Sequence, residues 1–169
     1  IVVIDRLVGE RRLAYRIAAG ALAVLTGVVV LSAFVRLGLY QAAYGWTELR
    51  LYVFATIGAL AASLGLMAAL ALRGRMRWLG HGLAVIAVVA LIGLDLVAPA
   101  AYVAERNVER VVDPSLVPPD GHAGLDAEYL RVLPDDAIPV LVAALPALPR
   151  PERAAVMSLL VARRSELLA

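Results

Sequence analysis

Cysteine and lysine are both absent from the 169 residues, and histidine occurs only twice. Without cysteine the chain can form no disulfide bond, thiolate nucleophile or zinc–thiolate site. His81 and His122 lie far apart in the sequence, and we interpret each as a structural side chain without a second metal or haem ligand. No serine lies in a glycine elbow, and no glycine-rich phosphate loop is present. The sequence therefore predicts no catalytic residue, no cofactor and no metal site.

Charge of either sign is also scarce. The formal net charge is only +2, which is too small to predict nucleic-acid binding. All sixteen basic residues are arginine. No signal peptide with a small-residue cleavage site is visible. The sequence opens at Ile1 rather than at methionine, and we expect it to be a fragment with further membrane spans upstream.

Apolar residues are abundant instead. They make up 62% of the chain, and the mean hydropathy is +0.84, whereas an ordinary soluble domain is about 45–50% apolar. The surplus is concentrated in three runs at 14–35, 49–72 and 79–98. About 20 apolar residues suffice for a helix to cross a hydrocarbon core of about 30 Å. We therefore predict an all-α integral membrane protein with three transmembrane helices in 14–98, preceded by an N-terminal cytoplasmic-side segment at 1–13.

Arginines are distributed unevenly between the two ends of these helices. Cytoplasmic loops are enriched in basic residues, and only Arg36 and Arg50 lie between the first two spans. We therefore predict that the N-terminus is cytoplasmic, with 40–52 and everything after Pro99 outside. The remaining arginines near the spans are Arg6, Arg11, Arg12 and Arg16 before the first span, and Arg73, Arg75 and Arg77 between the second and third.

The second run carries small residues four positions apart, which would let other helices approach closely in lipid. This pattern predicts a helix-packing face toward other membrane chains or toward upstream helices of the same chain. The alternative is that alanine is simply abundant here. The residues of this predicted face are Ala55, Gly58, Ala59, Ala62 and Ser63.

Beyond Pro99 the pattern changes to that of a small extracytoplasmic helical tail. Residues 99–124 comprise an amphipathic helix, expected along or leaving the membrane interface, and a proline-rich linker. Residues 125–169 are predicted to hold three helices: a short one, one capped by Asp136 with Pro139 in its first turn, and one opened by Pro151. Because so small a unit buries little hydrophobic core by itself, we expect it to pack against the membrane part or against a partner.

The polar segment 40–52 is the best candidate for a site, together with residues after the third span. These side chains could meet a lipid headgroup or another polar ligand at the outer surface. Alternatively, the aromatic residues form an interfacial belt, and the charged ones cap helices or face solvent. Asp95, an acid inside a span, is a functional candidate by type, or pairs with Arg50 or Arg36. The candidate cluster is Tyr44, Thr47, Glu48, Arg50, Asp95, Arg106 and Asn107.

Three segments, at 43–52, 99–110 and 125–141, resemble a bacterial integral-membrane family of unknown function, the DUF4153/DUF4173 group. We therefore expect a protein of a bacterial cytoplasmic membrane. Residues 43–52 are similar to the family's "YG-T-R-Y" segment, 99–110 to its "NPDAxIAxxN" segment, and 125–141 to its "LDxxYLxxLSxDAxPxL" tail. Ala98 and Ala100 stand where the family often has Asn and Asp, which weakens a polar site at that turn. The resemblance implies a multi-span membrane protein with a helical tail outside, and it implies no known activity.

Two functions follow as hypotheses. The first is a non-catalytic accessory or scaffold subunit, which packs against other membrane helices and offers its tail to a partner. The second is a transporter or a lipid-handling protein that uses the outer polar cluster. Packing of a foreign chain along Ala55, Ala59 and Ser63 would favour the first hypothesis. A closed polar cavity containing Asp95 would favour the second.

Overall fold

Helices account for nearly all of the regular structure. A computed structural model describes residues 2–167, with the side chains of 14, 17–126 and 128–165. No strand occurs in the described range, so the predicted all-α fold is confirmed. The helices are α1 (Val2–Tyr44), α2 (Glu48–Leu72), α3 (Leu79–Val97), α4 (Pro99–Val112), α5 (Ala127–Val132), α6 (Ile138–Ala144) and α7 (Arg150–Leu167), with 3₁₀ turns at Met76–Trp78, Pro114–Leu116 and Asp135–Ala137.

Three stretches of helix are long and apolar enough to cross a membrane. They are Ile17–Tyr44, Glu48–Leu72 and Met76–Val97, with 28, 25 and 22 residues. At about 1.5 Å per residue, each exceeds a hydrocarbon core of about 30 Å. Large apolar side chains on them are widely exposed, for example Leu22 and Leu91. Such surfaces suit lipid rather than water, and the three predicted helices able to span a membrane are confirmed within the described residues.

The first helix is longer than the predicted span at 14–35. It continues without interruption to Tyr44, so Arg36 lies within α1, and only Gly45–Thr47 separates α1 from α2. Nothing in 36–44 breaks a helix, since the polar and aromatic residues there are compatible with helical geometry. Gly45 stops α1 with a positive φ of 81°, a conformation that glycine adopts readily at helix ends.

Helix α2 lies between α1 and α3 and packs against both, whereas α1 and α3 barely touch. The three spans therefore form a layer rather than a closed bundle. Phe34 of α1 meets Phe54 of α2 edge to face, with ring centroids 5.5 Å apart. On the other side, Leu66 of α2 occupies the space that a side chain at Gly82 of α3 would need. Close packing on both faces makes α2 the centre of the layer.

A single residue, Ala98, separates α3 from α4. Its backbone is left-handed, with φ 48° and ψ 78°, and Pro99 then begins α4. Left-handed geometry costs a non-glycine residue about 1–2 kcal/mol. Proline at the first helical position loses nothing, because its missing N–H has no partner there anyway. This corner fixes the direction in which the tail leaves the membrane spans.

The tail has its core on α4. One stripe of that helix is fully buried, including Val103 and Ala104 at 0% exposure. The stripe packs against α6 and the Asp135–Ala137 turn, so residues 99–112 share a core with the helices that follow. One face of this amphipathic helix is thus buried within the tail. The core consists of Ala100, Val103, Ala104, Val108, Val111, Leu130, Leu133, Ala137, Leu141, Leu148, Val156 and Leu159.

One predicted cap is wrong. Asp136 lies inside the 3₁₀ turn Asp135–Ala137, and α6 begins at Ile138 without a side-chain cap. The 3₁₀ turn begins directly after Pro134, so the backbone of Asp136 is part of the turn. Its side chain is therefore not placed to accept the first free N–H groups of α6. Pro139 does lie in the first turn of α6, as predicted.

Candidate functional site

The turn Gly45–Thr47 docks onto α4 through a pair of hydrogen bonds with one side chain. The Trp46 N–H donates to Asn107 Oδ1 at 2.8 Å, and Asn107 Nδ2 donates back to the Trp46 carbonyl at 2.8 Å. An asparagine amide matches a peptide group in this way because it carries both a donor and an acceptor. Asn107 therefore joins the membrane spans to the tail.

Gly45 makes this docking possible. A Cβ atom at this position would lie 2.7 Å from Asn107 Oδ1, which is closer than side chains approach. Its φ of 81° is also a conformation in which other residues are strained. The sequence thus needs glycine here for two independent reasons.

Arg110 is the buried cation of the site, with 6% of its surface exposed. Its Nη1 donates to the Ala42 carbonyl at 2.7 Å, and its Nη2 reaches the carbonyls of His122 at 3.1 Å and Ala43 at 3.4 Å. The acceptors on Ala42 and Ala43 lie at the end of α1, where helical carbonyls have no partner within the helix. Burial, and then the positive charge of Arg50, lower the pKa of Arg110. Arg110 thus ties the end of α1 to the loop after α4.

Two further bonds complete the attachment. The His122 N–H donates to the Ala43 carbonyl at 2.8 Å. The Glu48 N–H, at the start of α2, donates to the Tyr129 hydroxyl at 2.8 Å. Burial raises the pKa of Tyr129, and the charge of Glu48 adds to this effect, while the hydrogen bond from the Glu48 backbone and the charge of Arg50 oppose it. Tyr129 is held in turn by α5, which Asp126 caps through the N–H groups of Glu128 and Tyr129.

Aromatic rings surround the turn. Trp46 packs against Phe54 of α2 and Tyr102 of α4, with ring centroids 5.5 and 5.4 Å apart. Tyr44 stacks on the His122 ring at 5.6 Å. The turn thus stands at the ends of two spans, a place where aromatic side chains are common.

A pocket of about 480 Å³ opens between the turn, α4 and α5. Arg50 lies in it, half-buried, and its Nη1 donates to the Gly45 carbonyl at 2.6 Å. Thr47 caps α2 by accepting the Arg50 N–H at 3.2 Å. The lining residues are Tyr44, Gly45, Trp46, Thr47, Arg50, Asn107, Arg110, His122, Gly124, Leu125, Asp126, Tyr129 and Leu130.

The sequence-predicted cluster is only partly assembled here. Tyr44, Thr47, Arg50 and Asn107 line the pocket, while Glu48 contributes its backbone N–H to the attachment beside it. Asp95 and Arg106 do not line it.

Of the predicted cluster, the side chains of Arg106 and Asp95 lie outside the pocket. Arg106 is exposed, pairs with Glu109 at 2.7 Å and lies over the Tyr102 ring. Asp95 is exposed on the last turn of α3 and forms no ion pair with any residue whose side chain is described. The pairing of Asp95 with Arg50 or Arg36 is therefore not present.

Sequence reasoning missed the residues that hold the site together from the tail side. The sequence pattern places Arg110 on the solvated face of its helix and gives Tyr129 no role beyond the tail, and His122 none beyond the linker. One signal points to Arg110: it follows Asn107 by three positions and Val103 by seven, which places it beside the apolar stripe of α4. The signal for Tyr129 is its place in the tail segment that resembles the family, but this segment does not indicate a partner in α2.

The residues of the predicted packing face of α2 differ in their exposure. Ala55, Ala59 and Ser63 are half-buried, whereas Gly58 and Ala62 are exposed. The Ser63 hydroxyl donates a hydrogen bond to the Ala59 carbonyl at 2.7 Å. Next to Gly58 an apolar groove of about 590 Å³ runs between α1 and α2. Its lining is Ala23, Val24, Gly27, Val30, Leu31, Phe34, Ile57, Gly58, Ala61, Leu64, Gly65 and Ala68.

Fold and site together define a helical membrane protein whose tail is attached firmly to the turn between its first two spans. The chain belongs to the family described as a domain of unknown function (DUF4153), whose model matches residues 2–144. The matched region contains all three spans and every residue that lines the pocket. The resemblance to DUF4153 is thus confirmed. No curated protein and no solved structure matches the chain significantly.

Proposed function

We propose that this protein is a non-catalytic scaffold of a bacterial cytoplasmic membrane. In this proposal its N-terminus is cytoplasmic and its tail lies outside. The spans pack against other membrane helices, and the tail presents a surface to a partner protein at a fixed orientation. The observation that carries the proposal is the attachment of the tail through Asn107, Arg110 and Tyr129 to the backbone at the α1–α2 turn.

The use of these polar groups favours a scaffold over a catalyst. Arg110 and Asn107 direct their donors to main-chain carbonyls. Buried polar groups that are fully hydrogen-bonded make an arrangement specific and rigid. A rigid junction of this kind is what a scaffold needs, because it transmits the position of the membrane helices to the tail.

The span region supports the same choice. The groove between α1 and α2 is lined by apolar residues throughout, with several glycines and alanines among them. Small residues allow close approach of a further helix in lipid. A transporter would need polar groups along its path, and none is among the residues that line this groove. The groove therefore favours helix packing over transport.

The tail also carries exposed apolar side chains away from the spans. Val132 is 71% exposed and Val161 65% exposed, and Met157 lies one turn before Val161 on α7. Exposed apolar surface on a soluble unit is typical of protein–protein contact when it is contiguous. We propose that α7 contributes to the surface that meets the partner.

Site-specific photo-crosslinking in the native membrane tests the scaffold proposal. A photoreactive phenylalanine analogue replaces Leu31 in the groove or Val161 on α7. Matched controls carry it at Leu91, which is similarly exposed on α3 but outside the groove, and at Arg164 on α7. We expect discrete protein adducts from Leu31 and Val161 and none from the controls. Adducts to lipid alone at both test positions would overturn the proposal.

A further inference from the structure

The pocket beside the α1–α2 turn carries more positive than negative charge. Arg50 and Arg110 both line it, and Asp126 is the one carboxylate among the lining residues. Asp126 uses its Oδ1 to cap α5. The ion pairs formed between described side chains include neither Arg50 nor Arg110. Two guanidinium groups are thus held close together without a carboxylate partner among the described side chains.

The two arginines have different tasks. Arg110 is buried and occupied by carbonyls of α1 and of His122. Arg50 is half-buried, and within the described part of the chain its side chain donates only from Nη1, to the Gly45 carbonyl. A guanidinium offers five N–H donors, so Arg50 keeps most of its donors for another acceptor. The burial of Arg110 also makes a nearby negative charge favourable, as the lowered pKa of Arg110 reflects.

The surroundings indicate which acceptor fits. Thr47 contributes a hydroxyl at the start of α2, where the N–H groups of Glu48 and Arg50 are already bonded to Tyr129 and Thr47. The acceptor must therefore suit the free donors of Arg50, and arginine favours phosphate oxygens because its planar fork binds two of them at once. The pocket lies where the apolar parts of α1 and α2 end, and Tyr44 and Trp46 on its wall are of the residue types that are enriched at headgroup level.

We propose that this pocket binds the phosphate group of an anionic lipid, with Arg50 as the residue that contacts the phosphate. Arg110 is a positioning residue, which holds the end of α1 in place and supplies long-range positive charge. The His122 side chain stands at the pocket with its ring against Tyr44. The shared chemistry, a phosphate, could also come from a soluble anion, and the experiment separates the two sources.

The test uses the full chain in nanodiscs and measures its thermal unfolding midpoint. One arm replaces part of a phosphatidylcholine bilayer with phosphatidylglycerol. The other keeps neutral lipid and adds inorganic phosphate, with chloride at matched ionic strength as the reference, because salt screens charges unspecifically. Native mass spectrometry of the same samples counts bound phosphatidylglycerol and gives its apparent affinity.

Three variants make the test specific. Arg50→Gln should weaken phosphatidylglycerol binding about tenfold, as expected for loss of a charge-assisted hydrogen bond. Arg106→Gln is the matched control, since it removes an arginine from the same end of the molecule but outside the pocket. His122→Glu adds a negative charge at the pocket and leaves the backbone hydrogen bonds of this residue in place, so it should abolish binding even if Arg50→Gln fails to fold.

Each outcome decides the question. Stabilisation by phosphatidylglycerol that is lost in His122→Glu and kept in Arg106→Gln supports a lipid phosphate site. Stabilisation by inorganic phosphate alone would assign the pocket to a soluble anion and overturn the lipid proposal. Equal binding in wild-type and His122→Glu protein, or no binding to the wild type, would overturn the site itself.

Discussion

At the scale of single residues, Asn107 and Arg110 connect two regions that are far apart in the sequence. Asn107 binds a main-chain group 61 positions earlier, and Arg110 one 68 positions earlier. Removing a partner from a buried polar group costs more than the bond contributes, because the remaining group stays desolvated. The attachment of the tail therefore depends on a few side chains that cannot be exchanged singly.

Gly45→Ala tests the close contact under Asn107. It should destabilise the protein by about 1–2 kcal/mol from left-handed backbone strain, and by about 1–3 kcal/mol more from the clash with Asn107. Gly74→Ala is the control, since Gly74 has φ 62° but no atom within 4 Å of the position that an alanine methyl group would take. Reversible unfolding by SDS from bicelles gives both free energies of unfolding. Equal losses of unfolding free energy in Gly45→Ala and Gly74→Ala would contradict a close contact between residue 45 and Asn107.

Tyr129 provides a pH-dependent prediction. Burial raises its folded-state pKa above the ordinary value of 10.0, so its contribution to stability is present below about pH 10 and is lost as pH rises through the folded-state pKa. Tyr129→Phe should cost about 0.5–1.5 kcal/mol at pH 8, because the Glu48 N–H loses its acceptor. The difference between wild type and variant should shrink above about pH 10. A difference that stays constant to about pH 11 would argue against this role.

At the scale of elements, α2 is held on one side by α1 and on the other by α3. The α2–α3 contact depends on the missing side chain at Gly82, which admits Leu66. Dispersion and close packing hold helices together in lipid, since burial from lipid brings little hydrophobic gain. A small change of side-chain volume at this contact should therefore change the free energy of unfolding.

Gly82→Ala should lower the free energy of unfolding by about 1 kcal/mol, at the lower end for overpacking because the Leu66 side chain can move. Gly93→Ala on the same helix meets no atom within 4 Å and serves as control. Adding Leu66→Ala should relieve the clash. The double variant should therefore lose less free energy of unfolding than the two single variants lose together. Strict additivity would place Leu66 away from Gly82.

The elements themselves are largely predictable from the sequence, and their ends less so. Hydropathy sums over about 20 residues or more, which makes a span robust against single exceptions. The end of α1 depends on one residue, Gly45, and the polar composition of 36–44 gives no reason to expect that the span helix continues there. The cap predicted at Asp136 is wrong for a similarly local reason, because a 3₁₀ turn intervenes.

The site is predictable only where its residues stand together in the sequence. Tyr44, Thr47 and Arg50 belong to a polar segment between apolar runs, which is easily recognised. Tyr129 stands in the tail segment that resembles the family, but its contact with Glu48 crosses 81 positions and depends on how the tail folds, so the contact itself is not predictable. The position of Asp95 within a span is a weak indication of function, since an acid near the end of a span can reach solvent from the helix surface.

At the scale of the whole molecule, the orientation in the membrane is a separate prediction. The chain has no cysteine, so a single introduced cysteine is a unique label. In intact cells, a membrane-impermeant maleimide should label Arg164→Cys in the tail but not Arg75→Cys in the basic turn. Permeabilised cells should show labelling of both. Labelling of Arg75→Cys alone in intact cells would invert the proposed topology.

The rigid junction between spans and tail is the central claim, and a distance measurement tests it most directly. Spin labels at Arg36→Cys on α1 and Arg164→Cys on α7, both exposed, report the distance across the junction in nanodiscs by pulsed electron resonance. We predict one narrow distance distribution in the otherwise wild-type protein, and a broad one once Arg110→Met removes the guanidinium. A broad distribution without Arg110→Met would contradict a fixed tail and, with it, the scaffold.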